Sequence, residues 1–406
     1  MNLPASRPVA AVQGMAASDA HEFSAVVGGP LFQILGRAGL SGEALDRLRR
    51  RVVAIALFAW APLLVLSALR GQAWGNAVAV PFFRDVDPHT RLLLALPLLI
   101  SAELVVHRAS QGLLGEFVRR GIVPNASLAR FDAAIASAQR LRNSTVAEVL
   151  LVIIVYALGV LYVWPRFAAL SDVSTWIAVL EGGHRHLSPA GWWFVFVSLP
   201  IFQFFLLRWY FRLFVWARLL WQVQRCDLRL VPTHPDRVGG LGFLHIIPIA
   251  LTPLILAHEL TLEGIIADQI LVHGARLTDF RTEVLTVIGL VLLAVMAPLL
   301  LFMPLLWRLK RVGLQEYGVL AQRYVREFDD KWIHGPRPEE RLVGNQDIQS
   351  LADLANSFEI IQGIRPIPIT RYSVLTVIGV TVLPMLPLLL TEYSFSDLKQ
   401  LLAVLI

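Results

Sequence analysis

Apolar residues run along this chain in blocks, not in stripes. Seven stretches are almost unbroken in apolar side chains: 52–69, 92–106, 147–164, 191–207, 243–260, 284–307 and 373–391. A helix rises 1.5 Å per residue, so a block of about 20 such residues matches the hydrocarbon thickness of a bilayer. The pattern predicts an all-α membrane protein with about seven transmembrane helices. The second block is the shortest and the fifth the least apolar.

A different pattern occupies 308–372. There Tyr317, Ala321, Tyr324 and Phe328 recur at helical spacing, as do Ile348, Leu351, Leu354, Phe358 and Ile361. Two amphipathic helices follow, joined by the turn-rich stretch HGPRPEERLVGN. The expected organisation is a disordered tail over 1–24 and a membrane domain over 25–307 with the first six spans. A small cytosolic helical hairpin then covers 308–372, and 373–406 holds the seventh span and a short outer segment.

The segments between the blocks carry, in chain order, 6, 3, 6, 2, 6, 2, 10 and 1 lysines and arginines. Cytosolic loops are the ones enriched in these residues. The alternation therefore puts the N-terminus and 107–146, 208–242 and 308–372 in the cytosol, and the C-terminus outside. The same bias accounts for the net charge of +6, so no nucleic-acid partner is expected. Residues 1–24 lack the apolar core of a cleavable signal.

Composition sharpens this picture in two places. Of 406 residues 56% are hydrophobic and 16% charged, where a soluble domain carries about a quarter charged residues. The single cysteine, Cys226, excludes an internal disulfide. Arginine exceeds lysine 33 to 3, the bias of a GC-rich bacterial genome, and an inner-membrane location is expected. Six of the seven blocks contain proline, which either kinks helices around a cavity or is simply tolerated in membrane spans.

The densest polar stretch is VPTHPDRVGGLGFLHIIP, residues 231–248. It has a structural and a functional reading. In the first, Pro232 and Pro235 extend the chain, Thr233 or Asp236 caps the next helix, and Gly239, Gly240 and Gly242 allow close packing. In the second, the glycine turn points N–H groups at an anion, Arg237 adds charge, and His234 and Asp236 supply acid–base capacity. His234-Pro235-Asp236 is also the tripeptide of J-domain co-chaperones, but its setting between a juxtamembrane helix and a span does not suit that fold.

Glu103, His107, Glu148 and His245 fall at the same expected depth as this loop. Ionisable residues there face a cavity or one another. Together with His234, Asp236, Arg237, Gly239, Gly240 and Gly242, the carboxylates Glu103 and Glu148 outline a polar vestibule at the cytosolic face. A second polar set is expected on the outer side: Asp85, Asp87, His89, Glu181, His184 and His186 in the outer loops, and His258, Glu259, Glu263 and Asp268 at the outer end of the fifth span and just beyond it. Its residue types suit Zn²⁺ or Mn²⁺, but their spacing matches no metal motif. The run RWYFRLFVWARLLWQVQR has the arginines and tryptophans of a headgroup anchor, with Arg208 and Arg212 on anionic lipid.

No P-loop, G-x-G-x-x-G, G-x-S-x-G or H-E-x-x-H occurs. Position 262 is Leu, so His258-Glu259 lacks a second zinc ligand. No cofactor or catalytic residue is therefore assigned. The stretches HPDRVGGLGFL, EYGVLAQRYVREFDDKW, DIQSLADLANSFE and RLLLALPLLISAE resemble a family of bacterial polytopic integral membrane proteins of unassigned function. That resemblance implies an inner-membrane location and no activity. The expected function is binding or passage of a small polar or anionic ligand through the vestibule. A scaffold or sensor docking a protein partner on 308–372, and an intramembrane lipid-headgroup enzyme using His234 and Asp236, are the alternatives. The bilayer and its anionic headgroups are the other expected partners.

Overall fold

The computed structural model describes residues 28–30, 48–159, 174–181, 184–336, 340–390 and 392. Its helices are α1 (Leu48–Leu69), α2 (Val86–Arg119), α3 (Leu128–Arg142), α4 (Thr145–Leu158) and α5 (Pro189–Val223). They continue with α6 (Leu241–His273), α7 (Leu277–Leu300), α8 (Met303–Asp329), α9 (Gln346–Gln362) and α10 (Arg371–Leu389). Among the described residues, α1, α2, α5, α6, α7 and α10 are long and apolar enough to cross a membrane. The shorter α4 covers the first part of the expected 147–164 span. The rest of that span lies outside the described residues, as do the tail 1–24 and the segment beyond Glu392. Six such helices, with α4 as a shorter apolar one, make this an all-α membrane protein.

A strand pair interrupts the helical pattern. β1 (Ala178–Glu181) and β2 (His184–Leu187) form an antiparallel hairpin before α5, with Glu181 opposite His184. Leucines, isoleucines and valines on α1, α4, α7 and α10 stay exposed. Their backbones are satisfied within the helix, so these faces suit lipid.

The long α5 is the centre of the bundle and packs against α1, α2, α3, α4 and α7. Beside it α6 packs against α2, α7 and α10. In α2 and α5 the turns just before Pro97 and Pro200, Thr90–Ala95 and Phe194–Ser198, widen to i→i+5 bonding. Proline gives no N–H and crowds the carbonyl four residues back, and a widened turn absorbs both. Pro304 sits in the first turn of α8, where its missing N–H costs nothing. The apolar block 284–307 is thus two helices that meet at Leu301 and Phe302, and its C-terminal part belongs to α8.

Backbone contacts sort the loops into two ends. At one end the Arg229 N–H donates to the Ile122 carbonyl and the Arg365 N–H to the Arg237 carbonyl. At the other, the Ala79 N–H donates to the Ser174 carbonyl, and the Thr278 N–H to Glu392. The Lys/Arg-rich loops contact one another, as do the Lys/Arg-poor ones, which is the pairing that alternation of spans requires.

α8 and α9 pack side by side as a two-helix arm. The stripes read from the sequence face each other but stay half-buried, save Ile361, which is buried, and Ile348, which is exposed. The Tyr324 hydroxyl donates to the Asp347 carbonyl at 3.0 Å, and Lys331 Nζ and Trp332 Nε1 donate to the Asp347 carboxylate at 2.9 and 3.0 Å. Those two donors hold the carboxylate below the ordinary aspartate range.

Candidate functional site

The loop 231–242 closes on itself. Asp236 Oδ1 accepts the N–H groups of Val238 and Gly240 at 2.9 and 3.2 Å, and Oδ2 accepts that of Gly242 at 2.8 Å. His234 Nδ1 lies 2.9 Å from Oδ1. Glycine-rich turns of this kind gather N–H groups around an anion. Here that anion is the loop's own aspartate, and Gly242 packs against it so closely that a Cβ would lie 2.9 Å from Oδ2. Gly239 has φ +67°, and a Cβ there would meet Leu309 of α8 at 2.5 Å.

The loop also grips the arm. Arg365 Nη2 donates to the Asp236 carbonyl at 2.9 Å, and Gly313 of α8 packs on Pro232. Arg237, at φ +55°, turns its side chain outward to within 3.5 Å of Glu359. The geometry supports the structural reading of this stretch: it joins the bundle to the arm.

Glu103 and Glu148 are drawn into a different constellation, inside the bundle. Glu103 on α2 accepts from Arg208 Nη1 at 2.6 Å and Arg212 Nη1 at 2.7 Å, both on α5, through Oε1. Its Oε2 accepts from Arg51 at the start of α1. Arg208 Nε donates on to Glu148 Oε1, in the first turn of α4, at 3.2 Å, and Arg208 Nη2 to the Gly28 carbonyl at 3.4 Å. All five residues are at most 8% exposed. Four helices are thus tied at one level by buried charge.

Arg208 and Arg212 are therefore not headgroup ligands. The tryptophan between them explains the misleading pattern: Trp209 is buried, donates its indole N–H to the Leu99 carbonyl at 2.7 Å and lies under Arg212. The sequence shows an arginine–tryptophan mixture, but not that two carboxylates, 105 and 60 residues away from Arg208, meet it.

Among the described residues the cluster brings three guanidiniums to two carboxylates. Arg51 Nε is buried without a hydrogen-bond partner. A cavity of about 30 Å³, room for a single water-sized occupant, adjoins Arg212 between Trp209, Trp216 and Ser110. His245 and His107, expected beside these carboxylates, bond locally: His245 Nδ1 lies 2.6 Å from the Gly242 carbonyl and His107 Nε2 3.0 Å from Gln111.

The outer set does not assemble either. Among the described residues no three His, Cys, Asp or Glu side chains are placed to hold a metal ion. Residues 86–89 form a helical turn, not the extended backbone that would have aligned Asp85, Asp87 and His89. The cause is Asp268 of α6, whose carboxylate accepts the Val86 and Asp87 N–H groups at 2.6 and 3.0 Å. It caps the start of α2 from another helix. Asp87 then pairs with Arg91, Asp85 accepts from Trp176 at 2.7 Å, and His89 Nδ1 accepts from Trp60 at 2.9 Å. Glu259 and Glu263, expected at the outer end of the fifth span and just beyond it, lie well inside α6, which runs on to His273.

No known family model, curated protein or solved structure matches the chain.

Proposed function

We propose that this chain is a bacterial inner-membrane protein that binds a small anion at the inner end of its bundle, on Arg51, Arg208 and Arg212. Glu103 and Glu148 order the guanidiniums. The observation that carries this reading is the convergence of three buried guanidiniums, on Arg51, Arg208 and Arg212, beside a small cavity at Arg212.

The test is thermal unfolding of the purified chain at constant ionic strength with added inorganic phosphate or chloride. One of the two anions raises the melting temperature, since a ligand at 100 times its Kd stabilises by about 2.7 kcal/mol. Arg212→Gln removes the guanidinium that lines the cavity while Glu103 keeps two arginines, and abolishes that shift. An unchanged melting temperature in the parent chain, or equal shifts in both, would sink the proposal.

The orientation is part of the same reading. The alternation of lysine and arginine supports a cytosolic N-terminus, a cytosolic arm and an outer C-terminus. Cys226 is buried, which leaves a clean background for labelling. Val343→Cys, at a position 90% exposed on the arm, is expected to react with a membrane-impermeant maleimide only after cells are opened. Gly75→Cys, in the α1–α2 loop, reacts in intact cells. The reverse result inverts the orientation.

A further inference from the structure

Glu259 and Glu263 lie one turn apart on α6, on one face of a helix that crosses the bundle. Glu259 is 0% and Glu263 8% exposed. Neither oxygen of Glu259 has a hydrogen-bond partner, nor does Oε1 of Glu263. The rest of that face is apolar: Ile255 belongs to the main core, and Ile266 packs with Leu388 of α10. Glu259 is 14 residues before the end of α6 at His273, about 21 Å of helix. Buried carboxyl groups without a donor are rare, and an unpaired ionised one is far too costly to keep.

The charged neighbours are committed elsewhere. On α2, Asp87 pairs with Arg91, His89 with Trp60, and Glu103 with its three arginines. His258 on α6 itself bonds the Tyr210 hydroxyl of α5 at 2.6 Å. Arg281 and Glu283 on α7, and Arg371 and Tyr372 on α10, are exposed at the starts of their helices. Asp268, farther along α6, caps α2. Among the described residues no cation pairs with either glutamate.

We propose that Glu259 and Glu263 form a proton-binding site in the membrane interior. Each carboxylate takes one proton from water to become a neutral carboxylic acid, and returns it to water when the site is hydrated. Two such groups one turn apart can hold one or two protons, and passing a proton between them needs no other side chain. This site is independent of the arginine cluster, and of whether an anion binds there.

The probe is N,N′-dicyclohexylcarbodiimide, an apolar reagent that couples to protonated carboxyl groups. The full chain in lipid nanodiscs is treated across a pH series, and adducts are mapped to peptides by mass spectrometry. The expected result is an adduct on Glu259 or Glu263 that diminishes as pH rises and is indifferent to replacing choline with sodium. Glu103 and Glu148, held by arginines, stay unlabelled. Glu259→Gln with Glu263→Gln, monodisperse by size exclusion, loses the adduct completely. No adduct on either glutamate in the folded parent chain overturns the proposal. So does protection by sodium, which would make the pair a metal-cation site instead.

Discussion

Glu103→Gln is expected to remove most folded protein from the membrane. Glutamine offers one carbonyl oxygen in place of a carboxylate that now receives three guanidiniums. Arg51 and Arg212 would each lose their bond to the Glu103 carboxylate inside the bundle, while Arg208 would keep Glu148. Removing one partner of a buried ion pair costs about 3–5 kcal/mol, against a total stability of about 5–15 kcal/mol. Thermal unfolding in detergent measures this directly. Arg51→Met added to Glu103→Gln is expected to recover part of the loss, because a stranded charge then becomes an apolar side chain. If Glu103→Gln melts within a degree of the parent chain, the cluster does not hold the bundle together.

The second large effect is on the arm. Asp236→Ala leaves the N–H groups of Val238, Gly240 and Gly242 without their acceptor. The loop then has no reason to keep Arg237 and Gly239 at positive φ, and the carbonyls that hold Arg365 move with it. A hydrogen bond to a charged group contributes about 1.5–3 kcal/mol. Losing even one such contribution raises the population of detached arm about tenfold or more. Limited trypsin digestion reads this out as faster cleavage within 308–365, with the membrane helices still folded. Asp236→Asn keeps an acceptor oxygen and should fall between the two. Unchanged digestion of Asp236→Ala would mean that the arm is held by other contacts.

The spans were legible because lipid imposes one requirement, a long apolar helix, that a sequence meets in plain sight. The two-helix arm was legible from its stripes for the same reason. Charge was harder. Arg208 and Arg212 look like interfacial anchors because local pattern cannot show Glu103 arriving from α2, 105 and 109 residues earlier. Glu259 and Glu263 were placed at the outer end of the fifth span because two carboxylates end an apolar block. The residues around and after them, Leu262 to Val272, carry a helical apolar pattern, and that was the available signal for a helix continuing to His273. The HPD loop left two readings open, close packing by its glycines or N–H groups gathered around an anion, because the sequence does not show that Asp236 of the same loop takes those N–H groups.

The cap on α2 sets a timetable for assembly. The first turn of α2 has its N–H groups bonded by Asp268, 182 residues after Val86. A ribosome adding about 5–20 residues per second needs about 10–40 s to make that stretch. For that interval the start of the second span lacks this cap, while Arg208 and Arg212, the partners of Glu103, are made before Asp268. The insertion machinery therefore has to receive α2 with an open end, and the bundle is completed when α6 enters beside it.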